Sequence, residues 1–276
     1  MIPKIIHYVW VGDAPKSDLA LKCIESWKKY CPDYEIKEWG NDILSEIDNQ
    51  YVKEAFEAKK WAFVSDYIRL YVLQKYGGVY LDTDLEITQN IDKFLENDFF
   101  MGHEIYEGKF SYLTALMASV PHNKIVEDIL SVYKNIHFIE NGKLDMTPNP
   151  KKFKNYFNSH FGIEKIYAEK EIYLSSTEKV YPYYYFCVKE KHKDNYAVHH
   201  FNGSWLDRNN YARKDKIKIG RYFFTTIKKT KFLKTDFNEN DADFPISKNE
   251  KVIVGFSKSK NKKIYLLKEE NNEKKS

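Results

Sequence analysis

Hydrophobic positions near the start of the chain predict a strand, a helix and a second strand. The residues from Lys4 to Trp10 are rich in β-branched and aromatic side chains, a composition typical of a strand. Between Ser17 and Tyr30, apolar residues recur at spacings of three and four, which indicates the buried face of a helix that Pro32 ends. Alternation from Tyr34 to Trp39 predicts the second strand. Strand, helix and strand in this order are typical of an α/β nucleotide-binding architecture.

Farther along, the pattern predicts a buried helix that leads into a short strand. Residues 41–58 form an irregular helical stretch, and residues 60–76 are apolar nearly all round, so we expect a buried helix there. The glycine pair at 77–78 ends that helix and lets the backbone turn sharply into a strand over 79–81. Residues 85–87 are expected to continue this strand.

The rest of the chain gives weaker patterns. They predict helices over 122–135 and 150–159, a strand over 196–200, and a terminal hairpin with strands over 252–256 and 264–267. Taken with the first ninety residues, these elements place the chain in the α/β fold class.

Composition fits a soluble globular protein. The chain has 276 residues, enough for one large α/β core, and is 43% hydrophobic and 30% charged. A net charge of +4 does not indicate a nucleic-acid partner. Cys23, Cys31 and Cys187 form no CxxC pair, which argues against a disulfide framework or a zinc site and suits a reducing compartment. With neither a signal-peptide pattern nor an apolar run of about 20 residues, the protein is expected in the cytoplasm.

The candidate chemistry begins with Asp82-Thr83-Asp84, directly after the predicted strand. On an extended chain, side chains two positions apart point to the same side. Two carboxylates so placed repel each other unless a cation lies beside them. Mg²⁺ or Mn²⁺ bound by carboxylates commonly shares its coordination shell with phosphates. The sequence therefore favours a platform for a metal and a diphosphate, although a solvated acidic turn would show the same pattern.

Asp66 and Arg69 add to this picture. They lie three positions apart on the predicted buried helix, and hence on one face of it. A buried acid and a buried base are costly unless they are paired or used in function. One interpretation is an ion pair within the helix. The other is a carboxylate that binds sugar hydroxyls, beside a guanidinium near a phosphate.

Together these segments resemble a known family. Residues 62–69 and 76–84 resemble the DXD region of glycosyltransferase family 32, which includes bacterial capsule and lipopolysaccharide transferases and yeast mannosyltransferases. This family is related to the clostridial toxin glucosyltransferases. Residues 2–10 resemble its opening strand, and residues 199–205 (HHFNGSW) resemble its closing motif. The resemblance covers roughly residues 2–205 of the chain.

The resemblance implies a fold, a reaction and a biological setting. The fold would be of GT-A type, a Rossmann-like nucleotide-sugar-binding domain over 1–206, followed by a basic extension over 207–276 with helices and the terminal hairpin. The enzyme would be a hexosyltransferase that retains the anomeric configuration. It would use a nucleotide-diphosphate sugar, with UDP favoured over GDP, and Mn²⁺ or Mg²⁺. The acceptor would be a glycan or a lipid-linked oligosaccharide in bacterial capsule or polysaccharide synthesis.

The resemblance also implies roles for individual residues. Metal ligands would be Asp82, Asp84 and His200. Residues around the donor would be Trp10 on the nucleobase, Asp66 and Arg69 on the sugar, Tyr80 and Asp82 near the ribose, and Ser204 and Trp205 on the diphosphate. Catalytic contributions would come from Asp66, Arg69, Asp84 and Trp205, because the guanidinium and the indole N–H assist the metal in neutralising the leaving diphosphate.

Some assignments stay open at this stage. His199 and His200 are adjacent, so on a strand they face opposite ways and only one reaches the metal. The family pattern favours His200, with His199 in reserve. Asp66 is the obvious carboxylate nucleophile, yet retaining enzymes of this fold lack a clear one, and attack from the leaving-group face is the alternative. The donor sugar depends on the pocket around Asp66 and Arg69 and on residues 101–114, where His103 and Glu104 are expected to contribute.

A basic stretch lies in the last quarter of the chain. Residues 213–234 contain nine Lys and Arg residues and a single acid, Asp215, interleaved with apolar and aromatic side chains. Read as an amphipathic helix, this stretch could lie on the inner surface of an anionic membrane, which would suit a lipid-linked acceptor. An ordinary solvated helix that packs its apolar face on the core is an equal alternative.

Three other functions share parts of the pattern. Phosphatases of the haloacid dehalogenase type also use DxD, but they want Thr or Val where this chain has Glu86. A non-catalytic carbohydrate-binding module would not need the cluster of Asp66, Arg69, the DxD and His200. A protein-modifying, toxin-like transferase is the third, although the chain shows no delivery region.

Overall fold

The computed structural model describes residues 1–106 and 108–202, together with the backbone of four short strands between 216 and 263. The chain divides into two compact units, Met1–Trp205 and Leu206–Ser276. Among the described residues, no helix is both long and apolar enough to cross a membrane. The predicted roles of 1–206 and 207–276 stay predictions.

The first unit alternates helices and strands. Its helices are α1 Asp18–Tyr30, α2 Gln50–Glu57, α3 Trp61–Tyr76, α4 Lys124–Ser131, α5 Asn149–Phe161 and α6 Tyr183–Phe186. Its strands are β1 Ile5–Val9, β2 Glu35–Trp39, β3 Gly78–Leu81, β4 Leu85–Ile87, β5 Phe99–Tyr106, β6 Lys109–Ser119, β7 Ile139–Glu140, β8 Lys143–Leu144, β9 Ile172–Tyr173, β10 Glu178–Tyr181 and β11 Ala197–His199. Short 3-10 helices lie at Asn41–Ser45, Asp92–Phe94 and Val132–Lys134.

A mixed sheet of seven strands forms the centre of this unit, in the order β2-β1-β3-β6-β5-β10-β9. Strand β1 runs parallel to both β2 and β3, as strand–helix–strand connections require. Strand β6 runs antiparallel to β3 and to β5. The α/β prediction is therefore confirmed, and the parallel strands β1, β2 and β3 are the part of the sheet that the sequence pattern predicted.

Both faces of the sheet are covered. Strand β3 is buried on both sides, so that Val79 and Leu81 join one hydrophobic cluster and Tyr80 joins the other. Helix α1 packs in the first cluster through Cys23 and Trp27. Helix α3 lies in the second cluster and is confirmed as the buried helix that the sequence predicted. Because β3 is enclosed on both faces, the DxD that follows it is held in a fixed position.

The turn between α3 and β3 depends on its two glycines. Gly77 has φ 65° and Gly78 has φ 99°, a region that side chains with a Cβ rarely adopt. A Cβ at Gly78 would lie 2.6 Å from the carbonyl oxygen of Ile5, and one at Gly77 would lie 2.6 Å from Pro121. The predicted sharp turn is confirmed, and it sets β3 directly beside β1.

Residues 85–87 do not continue β3, which corrects the prediction. They form β4, which pairs antiparallel with β11 in a separate two-stranded sheet. The chain turns at the DxD, where the backbone N–H of Leu85 donates to the carbonyl of Asp82 at 3.0 Å. Helix α1 then fixes β4, because the indole N–H of Trp27 donates to the Leu85 carbonyl at 2.8 Å.

Other predicted elements are confirmed with shifted bounds, and one large element was missed. Helices over 122–135 and 150–159 are present as α4 with its 3-10 extension and as α5, and the strand over 196–200 is β11. The long hairpin of β5 and β6 was not predicted. It contains a bulge between Met101 and Gly102.

The second unit contains two short antiparallel pairs. Strand β12, Lys216–Ile219, pairs with β13, Tyr222–Thr225. This overturns the helix predicted there, because Lys-Ile-Lys-Ile alternates with period two and a Gly-Arg dipeptide separates the strands, a combination typical of a two-residue hairpin. Strand β14, Phe256–Ser257, pairs with β15, Lys262–Lys263, so a terminal antiparallel pair is present, but it lies mostly in residues 257–263, which the sequence predicted as the connecting loop. The remainder of the predicted strands over 252–267 lies outside the described residues.

Candidate functional site

The candidate site lies at the edge of the sheet where β1 and β3 end. These strands are parallel neighbours, so their carboxyl ends meet at one edge, the usual place of ligand crevices in α/β folds. Trp10 follows β1 and Asp82 follows β3. The Trp10 indole is half-buried, and its N–H donates to the carbonyl of Ala14 at 2.8 Å. Its edge is therefore fixed by the loop that follows.

Both ends of the DxD are held by backbone hydrogen bonds. The N–H of Asp82 donates to the carbonyl of Ala115 on β6 at 2.8 Å. The carbonyl of Asp84 accepts the N–H of His200 at 2.9 Å, and its carboxylate accepts the N–H of Asn202, also at 2.9 Å. The motif therefore joins the end of β3 to the end of β11, on a turn and not on the extended chain that the sequence argument assumed.

This turn brings three metal-ligating groups together. Asp82, Asp84 and His199 each offer one ligand atom, and these atoms lie within 4.8 Å of one another. The three side chains are partly buried, with 28%, 18% and 12% of their surfaces exposed. Two carboxylates and an imidazole that converge from a shielded turn fit a divalent cation, because a cation removes the repulsion between the carboxylates.

The pKa shifts of His199 and Asp84 also favour a positive charge in this cluster. Burial alone would lower the pKa of His199, but the neighbouring Asp84, Cys187 and Glu104 side chains outweigh it and raise this pKa well above its usual value. Burial would raise the pKa of Asp84, yet His199 and the N–H of Asn202 hold it below its usual value. A positive charge beside Asp84 is therefore favoured, and a metal ion would compete with the imidazole proton for the same place.

His200 lies elsewhere. Its Nε2 is 2.8 Å from a carboxylate oxygen of Glu86, which also accepts a hydrogen bond from Lys22 at 2.8 Å. Because neighbouring residues on a strand face opposite ways, the orientation that brings His199 to the DxD turns His200 away. The structure therefore groups His199, the alternative ligand, with Asp82 and Asp84. It does not bring His200, which the family pattern favoured, to these carboxylates.

Arg69 fixes the position of Asp82. Its Nη1 donates to the carbonyl of Thr114 at 2.8 Å and lies 3.3 Å from a carboxylate oxygen of Asp82. Its Nη2 lies 3.0 Å from the carboxylate of Asp66. The guanidinium also lies over the Tyr80 ring, 4.6 Å from its centroid, and the Tyr80 hydroxyl donates to Asp82 at 2.7 Å. These four predicted residues thus form one buried network.

Asp66 has a structural task besides its pair with Arg69. Helix α5 begins after Pro148, whose side chain cannot cap it, and the N–H of Asn149 donates to the Asp66 carboxylate at 3.2 Å. The Asn149 amide donates in return to the Asp66 carbonyl at 2.7 Å. Burial raises the pKa of Asp66, while Arg69 and Lys152 counter that effect. Asp66 therefore joins α3 to the start of α5.

The remaining residues of the predicted site have different outcomes. Ser204 and Trp205 lie outside the described residues. Glu104, expected near the donor pocket, contacts His199 at 3.7 Å. His103 faces the other side of β5, where it is fully buried and its Nδ1 lies 3.1 Å from the carbonyl of Tyr181. Asn149 was not predicted, although an Asn directly before a proline, here Pro150, is a common helix-start signal.

Comparison with known proteins finds a family that is similar to part of the chain. Residues 17–101 match the family described as the glycosyltransferase sugar-binding region containing the DXD motif. The match includes Asp66, Arg69 and the DxD itself.

Two curated relatives share parts of the chain. An uncharacterized glycosyltransferase, L373, of Acanthamoeba polyphaga mimivirus is 29% identical over 155 residues, which is 53% of this chain and 60% of the relative. Inositol phosphoceramide mannosyltransferase 3 of Schizosaccharomyces pombe is 30% identical over 101 residues, which is 34% of this chain and 27% of the relative. The matched part of the chain thus spans less than two thirds of either relative.

Solved structures with a similar outline are distant. The PaToxG glycosyltransferase is 20% identical, with a TM-score of 0.45 over 59% of this chain and 71% of that chain. A glycosyltransferase involved in glycosylation of the major capsid of PBCV-1 is 14% identical, with a TM-score of 0.44 over 75% of this chain and 97% of that chain.

Proposed function

We propose that the protein is a metal-dependent glycosyltransferase of GT-A type that moves a hexose from a UDP-sugar to a glycan or lipid-linked oligosaccharide. The observation that supports this most directly is the convergence of Asp82, Asp84 and His199 within 4.8 Å. Two of these three residues lie inside the segment that matches the DXD family.

The residues that would hold the metal are Asp82, Asp84 and His199. Two carboxylates and one imidazole suit Mn²⁺ better than Mg²⁺, since Mg²⁺ prefers oxygen ligands. Bound there, the metal would neutralise the charge that develops on a leaving diphosphate. Arg69 and Tyr80 keep Asp82 in place, so their first role is to hold a ligand, whatever contact they also make with the donor.

The reaction breaks the bond between the anomeric carbon and the diphosphate oxygen and forms a bond from that carbon to an acceptor hydroxyl. The acceptor proton leaves with the nucleotide diphosphate or passes to solvent. We propose retention of configuration by attack from the leaving-group face. Asp66 is a poor candidate for a covalent nucleophile, because its carboxylate is buried and bound by Arg69 and by the start of α5.

The proposed setting is polysaccharide synthesis, such as capsule assembly, on the cytoplasmic side of a membrane. Its support is the basic composition of residues 213–234, which favours an anionic surface. Co-sedimentation with vesicles that contain anionic lipid tests this contact, and equal binding to neutral vesicles would contradict it.

Donor hydrolysis tests the proposed reaction. The protein is incubated with a panel of UDP- and GDP-sugars, with Mn²⁺ or with EDTA, and nucleotide release is measured. We expect Mn²⁺-dependent release from one donor and a loss of about 100- to 1,000-fold in Asp84→Ala, the scale reported for removing one electrostatic stabiliser. Asp33→Asn, which alters an exposed carboxylate far from the DxD in sequence, is the matched control.

A second measurement makes a negative result informative, because hydrolysis without an acceptor can be slow. Calorimetry of UDP with and without Mn²⁺ reports binding directly. If no donor is hydrolysed and UDP binding shows no dependence on Mn²⁺, the transferase proposal is overturned.

A further inference from the structure

The imidazole of His199 lies between two carboxylates. Its Nε2 is 3.5 Å from Asp84, and its Nδ1 is 3.7 Å from Glu104. Nδ1 is buried and has no hydrogen-bond partner among the described residues. A neutral imidazole binds a metal through only one nitrogen, and the proton then sits on the other. The group that faces Nδ1 therefore decides whether Nε2 is free to bind.

Glu104 is itself held in place. It pairs with Ser111 across the β5–β6 hairpin, and the Ser111 hydroxyl donates to one of its carboxylate oxygens. The other oxygen faces His199. Only 17% of the Glu104 side chain is exposed, so solvent competes weakly for that oxygen.

A second contact on the same face keeps the hairpin against the end of β11. Glu104 and Tyr106 lie two positions apart on β5, and His199 and Phe201 are likewise two positions apart. The rings of Tyr106 and Phe201 are 4.9 Å apart, and the Phe201 ring lies 4.1 Å from the imidazole. The imidazole is therefore bounded on its face by Phe201 and at both nitrogens by carboxylates.

We propose that Glu104 is a positioning residue that accepts the Nδ1–H of His199 and so directs Nε2 to the metal cluster. The inference rests on the proposed function, because it concerns the support of a ligand to its metal. Metal-binding histidines generally donate the other ring N–H to a carboxylate, carbonyl or water, which fixes the tautomer and makes the ligand more basic. The 3.7 Å separation is an ion-pair distance, and such contacts commonly shorten when a site is loaded.

The neighbouring histidine provides an internal contrast. Glu86 binds Nε2 of His200 at 2.8 Å, so that nitrogen is already taken. Each of the two adjacent histidines thus has a glutamate at one ring nitrogen, but only the Glu104–His199 pair leaves Nε2 directed at Asp84. Glu86→Gln is therefore the matched control for Glu104→Gln.

The test measures Mn²⁺ affinity by titration followed with electron paramagnetic resonance, with and without UDP, on the full chain. We expect Glu104→Gln to weaken Mn²⁺ binding about 10- to 100-fold, the usual cost of losing such a support, and Glu86→Gln to leave it nearly unchanged. Gln keeps the size of the side chain and an acceptor for Ser111. Thermal unfolding of both variants checks that the fold is intact.

The tautomer of His199 is a readout that would not change if Glu104 had only a structural role. Nitrogen-15 NMR of histidine-labelled, metal-free protein, at an alkaline pH where the imidazole is neutral, should show the His199 proton on Nδ1, and Glu104→Gln should redistribute that proton between the two ring nitrogens. Equal Mn²⁺ affinities for the two variants would overturn the inference while leaving the transferase proposal intact. Weaker binding in Glu86→Gln alone would also overturn it and would favour His200 as the ligand. Absence of Mn²⁺ binding by the unchanged protein would overturn both proposals.

Discussion

Two regions build the candidate site in different ways: the continuous segment from α3 to β4, and the β5–β6 hairpin. The first supplies Asp66, Arg69 and both aspartates of the DxD within twenty residues, and the buried guanidinium of Arg69 pairs with both Asp66 and Asp82. The hairpin supplies Glu104 and the carbonyl of Thr114, which contact residues from other parts of the chain. The first region carries the two aspartates of the proposed ligand set, and the second supports His199 and Arg69.

The difference shows in how each region is stabilised. In the α3–β4 segment, stability depends on complete pairing of buried charges, because an unpaired buried charge is costly. In the hairpin, the strands are buried over most of their length and carry few charges, so stability depends on apolar packing and on neutral polar groups. Three predictions separate these two kinds of support.

The largest effect is expected from breaking the buried charge network. Arg69→Leu removes the cation that pairs with both Asp66 and Asp82, and the carboxylates stay behind. We expect the free energy of unfolding to fall by about 3–5 kcal/mol, the cost of removing one partner of a buried ion pair. Urea unfolding followed by circular dichroism measures it.

A second substitution shows whether unpaired charge is the cause. Adding Asp66→Asn to Arg69→Leu should restore part of the lost stability, because one stranded carboxylate is then neutral. If the double variant is less stable than the single one by the full cost of Asp66→Asn alone, the two residues are not coupled as described.

In the hairpin, the corresponding effect is a loss of stability in acid. Burial lowers the pKa of His103 to about 4, despite its hydrogen bond to Tyr181. The folded pKa lies below the unfolded value near 6.5, so the unfolded state binds more protons between these pH values. The stabilisation is complete above pH of about 6.5 and is lost as pH falls toward 4, by about 3 kcal/mol in all. Burial also lowers the pKa of His7 to about 4, which adds a change of the same sign.

Chemical unfolding at a series of pH values measures this slope. His103→Leu should flatten it, while His160→Gln, which alters an exposed histidine on α5, should leave it unchanged. An unchanged slope in His103→Leu would show that this histidine is not kept neutral by burial.

The smallest of the three effects is expected where the two regions meet α5. Asn149→Ala removes the side-chain amide that contacts the Asp66 carbonyl and the Tyr133 hydroxyl, but it keeps the backbone N–H that donates to the Asp66 carboxylate. We expect a loss of about 1–3 kcal/mol in the free energy of unfolding, because buried polar groups lose their partners. Thermal unfolding compares it with Asn158→Ala, an exposed Asn on the same helix. Equal effects would show that the Asn149 contacts contribute nothing specific.

Local signals predicted the first region well. Helix α3, its glycine turn and the strand before the DxD all follow from contiguous patterns, namely an apolar run, two glycines and two carboxylates. The turn at the DxD was not predicted, because the indole of Trp27, far earlier in the chain, fixes the backbone there.

The hairpin escaped prediction for a physical reason. Residues 99–101 of β5 and most of β6 are buried on both faces, so their side chains do not alternate between apolar and polar. The bulge between Met101 and Gly102 shifts the register further. Without a period of two, the sequence pattern does not show which side chains share a face of the strand. The contact between Glu104 and His199 therefore cannot be predicted from it.

By itself, the sequence determined the α/β class, the buried helix, the sharp turn and the residue types from which a metal and sugar site could be built, because each of these is set by neighbours along the chain. It could not choose between His199 and His200, which are identical in type and adjacent. Which of the two lies beside the DxD is fixed by the pairing of β11 with β4 and by the hairpin that packs on its end. Only the tertiary structure decides it, because the direction in which a strand residue points is fixed by partners more than ninety positions away.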